Sequence, residues 1–179
     1  MPTILKVSRG FALAAAAATG APATAQAILG EDAAVCAADS GPAIRVNVTG
    51  LKDRVGRLKL ELYPANEQDF LKDDRDLRAE GKFFRRIWAP MPPSGPVAIC
   101  IKAPAPGRYA LLFTHDRDGR NKFDFWKDGA GFPSNVKLGR ARPKLHQAVI
   151  NVGDGVTTTN IRAQYLRGLS GFGPIRGGK

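Results

Sequence analysis

Short runs in which apolar and polar residues alternate one for one constrain this chain most. Ile44, Val46 and Val48 alternate with Arg45, Asn47 and Thr49. Leu58, Leu60 and Leu62 alternate with Lys59 and Glu61, and Val97, Ile99 and Ile101 with Ala98, Cys100 and Lys102. A period of two sends successive side chains to opposite faces, as in a strand with one face buried. Gly50, Gly56, Tyr63-Pro64 and the Pro-rich segments 89–96 and 103–107 punctuate these runs. Phe83, Phe84, Ile87 and Trp88 mark another strand, and Tyr109 to Phe113 is apolar almost throughout, as in a central strand. Gln147 to Val152 and the β-branched run Val156 to Tyr165 complete the set. The short polar connection from Lys52 to Gly56 predicts a hairpin between the first two strands. Residues 65–82 read as a surface crossover with one or two helical turns. About seven short strands with little helix predict an all-β fold, an antiparallel Ig-like β-sandwich, with a closed barrel as the alternative.

The N-terminus carries the order of features expected of a signal peptide. Lys6 and Arg9 precede an alanine-rich apolar run from Phe11 to Ala18, and Ala23-Thr24-Ala25 fits the cleavage rule. The expected organisation is a signal peptide over 1–25, an N-terminal arm over 26–42, a sandwich domain over 43–166 and a flexible basic tail over 167–179. About 150 residues remain after cleavage, enough for one domain with a real core. No later run is long and apolar enough for a membrane-spanning helix. The expected destination is the periplasm or the cell exterior.

Export bears on both cysteines and charge. Cys36 and Cys100 are the two cysteines, and an oxidising compartment favours a disulfide between them. Its loop of about 60 residues is worth about 4 kcal/mol in the chain-entropy model. Subtracting Lys6 and Arg9 from 27 basic residues leaves 25 against 16 acidic ones, a net charge of +9. That balance favours anionic partners. Outside the cell these are envelope polymers, lipid headgroups or an envelope protein, rather than nucleic acid. Lys137, Arg140, Arg142 and Lys144 form a basic run, with Arg85-Arg86 another, and Arg140, Arg142 and Lys144 are the candidate basic patch.

The stretch after Phe113 is the candidate site. Asp116, Asp118, Asn121 and Asp124 place four oxygen donors around Gly119, a set suited to a hard cation such as Ca2+. The spacing is not that of an EF-hand, whose first and last ligands would fall on Thr114 and Phe125. The competing reading is an Asx-turn loop whose aspartates cap backbone N–H groups. His115 beside Asp116 suggests, as an alternative, a general base for hydrolysis. Neither a Gly-x-Ser-x-Gly elbow nor a His-Glu-x-x-His motif accompanies it. Phe125, Trp126 and Phe132 form a candidate ligand platform.

Three pieces in order resemble the DUF2141 proteins, exported bacterial domains of unknown function. They are the pair of runs 46–51 and 56–63, then Pro106 to Leu111 leading into His115-Asp116-Arg117-Asp118-Gly119-Arg120-Asn121-Lys122-Phe123-Asp124, and Gly129-Ala130-Gly131-Phe132-Pro133-Ser134-Asn135. The middle piece is similar to that family's His-Asp-x-Asn-Gly-Asn-Gly-x-x-Asp loop, with Arg120 and Lys122 as departures. The resemblance implies a prealbumin-like sandwich and no reaction. The chain is thus expected to be a non-catalytic binding or accessory module, with a calcium-stabilised loop as an added possibility.

Overall fold

The computed structural model describes residues 27–175. The expected signal peptide lies outside the described residues, as do the last four residues of the tail. In chain order the strands are β1 (Ile28–Leu29), β2 (Ala43–Thr49), β3 (Arg57–Pro64), β4 (Arg85–Pro90), β5 (Val97–Lys102), β6 (Gly107–Asp116), β7 (Gly129–Gly131), β8 (Val149–Val152), β9 (Val156–Arg162), β10 (Gln164–Leu166) and β11 (Phe172–Pro174). Three short helices interrupt them: α1 (Ala33–Ala38), α2 (Asp74–Ala79) and α3 (Leu145–Ala148). Among the described residues no helix is long and apolar enough to cross a membrane.

The strands form two sheets packed face to face. One has the order β1-β5-β2-β9, and the other runs β11-β10-β7-β6-β3-β4, with β8 also paired to β6. Pairing in the larger sheet is antiparallel throughout, while β1–β5 and β2–β9 in the smaller are parallel. The alternating runs supply the core between them. Ile44, Val46, Val48, Val97, Ile99 and Ile101 face Leu58, Leu60, Leu62, Leu111 and Phe113 in one buried cluster. Each such side chain contributes about 1.5–3 kcal/mol on removal from water.

The period-two reading held, but the pairing it suggested did not. β2 pairs with β5 and β9, whereas β3 pairs with β4 and β6. The first two strands therefore lie in opposite sheets and make no hairpin. Alternation states that one face is buried and leaves open which strand lies alongside. The run Val156 to Tyr165 likewise divides between sheets at Ala163, β9 joining one and β10 the other.

Cys100 faces away from the core of Ile99 and Ile101, as its position in the run requires, and pairs with Cys36 of α1 with 6.0 Å between Cα atoms. The bridge ties the arm to the outer face of the smaller sheet. The expectation of a flexible tail from Arg167 fails over its described part. Gly168–Ser170 forms a 3-10 turn, and β11 returns along β10 with Leu166 opposite Phe172. Phe172 is buried against Phe123 and Phe125, ring centroids 5.9 and 4.8 Å away. A single aromatic gives this glycine-rich segment a reason to fold back.

Candidate functional site

The acidic segment begins inside β6, not after it. His115 and Asp116 are its last two residues, paired with Leu58 and Arg57. His115 is fully buried. Its Nε2–H donates to the Val55 carbonyl at 2.7 Å, which leaves Nδ1 to accept the Tyr165 hydroxyl at 2.7 Å. The Tyr165 oxygen in turn accepts the Lys52 N–H at 3.1 Å. Burial pushes His115 below its ordinary value of 6.5, against the opposing pull of the Val55 carbonyl and Asp53. Burial also raises Tyr165 to about 12. Both ring nitrogens are committed and the ring has no solvent face, so His115 ties β6, β10 and the Val55 loop together. The geometry offers the hydrolytic reading no free base at this residue.

Asp116 and Asp118 do come together, and their third partner is Asp128. One ligand atom from each of these three lies within 4.8 Å of the others. Asp128 is almost fully buried and accepts the N–H groups of Arg117 and Asp124, both at 2.8 Å. Asp116 accepts Gly119 N–H at 2.9 Å, Asn121 N–H at 3.3 Å and Arg57 Nε–H at 2.9 Å. Burial works to raise the Asp116 carboxyl, but Arg57 and these N–H groups outweigh it and hold it below the ordinary carboxylate value. Asp118 accepts Arg120 N–H and lies 3.4 Å from Lys127 Nζ. Asp124 stands outside the group, capping Trp126 N–H at 2.9 Å, and Asn121 takes part through its backbone. Of the four expected ligands, two converge. Asp128 was missed because it sits four residues past the motif, although its place just before Gly129 is a turn-closing position.

The aromatic platform resolves differently. Trp126 projects into solvent, 80% exposed. Phe132 is buried and packs on Phe70 at 5.9 Å. Phe125, half exposed, and Phe132 do meet at one feature, a cavity of about 420 Å³ on the outer face of the larger sheet.

Its floor follows from strand register. The positions of β3 between the core leucines carry Lys59 and Glu61, opposite Thr114 and Leu112 of β6, and Thr114 lies opposite Ala130 of β7. Gly129 and Gly131 flank Ala130 because Tyr165 and Ile161 occupy the space their side chains would need. A Cβ at either glycine would fall 2.5 Å from those neighbours. Ala130 then presents only a methyl group to the outer face, which leaves the space above it open. Phe123, Phe125, Phe132 and Phe172 form the walls, and the segment from Leu138 to Pro143 closes one side.

That closing segment is stitched in place. Gly139 and Phe172 exchange backbone hydrogen bonds of 2.8 and 2.6 Å. Gln164 accepts Leu138 N–H at 3.0 Å and donates to the Val136 carbonyl at 2.8 Å. Arg140 and Arg142 are therefore held at the cavity mouth, whereas Lys144 is not among the lining residues. Beneath, Glu61 is nearly buried between Lys59 at 3.1 Å and Arg86 at 2.7 Å, a floor of matched charge. Thr114 is buried in the same floor.

The family model for DUF2141, "Uncharacterized protein conserved in bacteria", matches residues 46–160. The chain belongs to the DUF2141 family. No curated protein and no solved structure gives a match. The matched span of this DUF2141 chain includes the cavity floor, the Asp116–Asp128 loop and the closing segment, whereas Gln164 and Phe172 lie beyond it.

Proposed function

We propose that this DUF2141 protein is an exported binding module whose site is the cavity on the outer face of the larger sheet. The observation that carries this reading is an open, phenylalanine-walled volume of about 420 Å³ over a floor in which the charges of Lys59 and Glu61 are matched. Pockets of this size, apolar with a few placed polar groups, suit small ligands. Core-facing surface would close up, since interiors pack to high density. Export is supported by the N-terminal pattern and by the Cys36–Cys100 bridge. The test uses N-phenyl-1-naphthylamine, an apolar fluorophore. Saturable binding that Ala141→Trp abolishes at the cavity mouth supports the site, and a signal that never saturates or ignores that substitution removes it.

A second reading concerns the acidic loop. Convergence of Asp116, Asp118 and Asp128 supports these three as the carboxylates for a calcium ion, in place of Asn121 and Asp124. The ion would compete with Arg57 and Lys127 for the same oxygens. A melting temperature raised by millimolar calcium over chelator, and no longer raised in Asp118→Asn, supports this reading. Equal melting temperatures end it.

A further inference from the structure

We infer that the cavity takes an amphipathic anion, its apolar tail among the phenylalanines and its acidic head against Arg140 and Arg142 at the mouth. This rests on the cavity being the binding site and adds the chemistry of the ligand.

The charges around the cavity differ in how they are used. Among the described residues Glu61 is the only acidic one lining it, and it is already matched by Lys59 and Arg86. Asp74 takes the other end of Arg86 at 3.2 Å. Lys59, Glu61, Arg86 and Asp74 are two cations and two carboxylates, and their charges cancel. Arg140 and Arg142 are exposed, and among the described residues neither has a carboxylate within ion-pair distance. Arg142 spends one N–H on the Phe70 carbonyl at 3.4 Å, which orients it and leaves its charge unneutralised. The mouth therefore has a net charge of +2 from side chains beside an apolar chamber.

Position is fixed as well as charge. The Gly139–Phe172 bridge brings the two backbones so close that a Cβ at Gly171 would meet the Gly139 carbonyl oxygen at 2.2 Å. The segment carrying both guanidinium groups is thus anchored to the element that supplies Phe172. Guanidinium forks bind carboxylate and phosphate alike through paired N–H donors. A head at the mouth keeps its hydration on the solvent side, which avoids the large cost of burying a charge. The tail removes apolar wall from water.

The test compares probes of one tail length below their micelle-forming concentration: dodecanoate, dodecyl phosphate, dodecanol and dodecyltrimethylammonium, each displacing N-phenyl-1-naphthylamine. Two exposed charge pairs predict that both anions bind about fivefold to tenfold more tightly than dodecanol at low salt, with the cation weakest. Arg140→Gln with Arg142→Gln should bring both anions to the affinity that dodecanol has for the same variant, and 0.5 M salt should shrink the preference in the wild type. Dodecanoate and dodecyl phosphate also separate carboxylate from phosphate as the preferred head. If dodecanol equals the anions, or the double variant keeps the preference, the anion inference fails and the cavity reading stands. If no probe displaces the fluorophore, the cavity reading itself fails.

Discussion

Two neighbouring regions of this fold treat their polar groups in opposite ways. At the end of β6, His115, Tyr165, Asp116 and Asp128 consume one another's hydrogen-bonding capacity and that of nearby backbone. On the outer face of the same sheet, Arg140 and Arg142 have no carboxylate partner among the described residues and stand beside a chamber walled by phenylalanine. The motif richest in reactive residue types is thus the better sealed of the two. A basic run and a glycine-rich tail, plain in sequence, border the open site. Saturated polar groups build structure, and unsaturated ones beside apolar surface leave something for a ligand to do.

Substitutions can break this contrast, beginning with the sealed region. Asp128→Ala leaves the N–H groups of Arg117 and Asp124 without their acceptor and should cost about 2–5 kcal/mol in urea unfolding. Because the same loop carries Phe123 and Phe125, fluorophore binding should weaken too. An unfolding midpoint equal to that of the wild type would mean that the loop is not held as described. Phe125→Ala should behave oppositely. It removes half-exposed cavity wall, so affinity for the fluorophore should fall about fivefold to tenfold with little change in melting temperature.

The pH dependence sharpens the sealed side further. Burial holds folded His115 below 6.5, so just under that value the unfolded chain binds more protons than the folded one. Stability from neutral His115 is therefore complete above pH 6.5 and declines as pH falls through the window below it. His115→Gln should flatten that slope in urea midpoints measured between pH 7.5 and 5. An unchanged slope would place the titrating group elsewhere. The smallest effect belongs to calcium. The oxygens of Asp116, Asp118 and Asp128 already have internal partners, so millimolar calcium should add no more than about 1 kcal/mol by mass action. A gain several times larger would make the loop a metal site first and a capped turn second.

Much of the architecture was legible in the chain. Alternation at Leu58, Leu60 and Leu62 correctly sent Lys59 and Glu61 to the outer face, and the face reversal at Cys100 turned it toward Cys36. Strand partners were less legible, because the alternation in β2 and β3 is the same whichever sheet each joins. The site was legible in fragments. Phe125, Phe132, Arg140 and Arg142 were singled out for separate reasons, and only the fold brings them to one cavity. Phe172 was hidden by the glycines around it. Thr114 lay outside the strand read from sequence, and only register places it opposite Ala130 on the cavity floor. His115 suggested a general base only as an alternative, and burial and two hydrogen bonds decide its role.

The most direct test of the cavity as the binding site is an amide chemical-shift titration of the protein with dodecanoate. Shifts should concentrate at Thr114, Ala130, Leu138 to Ala141 and Phe172, while the amides of His115, Asp116 and Asp128 stay within the baseline. Saturable shifts centred on the His115–Asp128 region, with the cavity amides unmoved, would contradict the account.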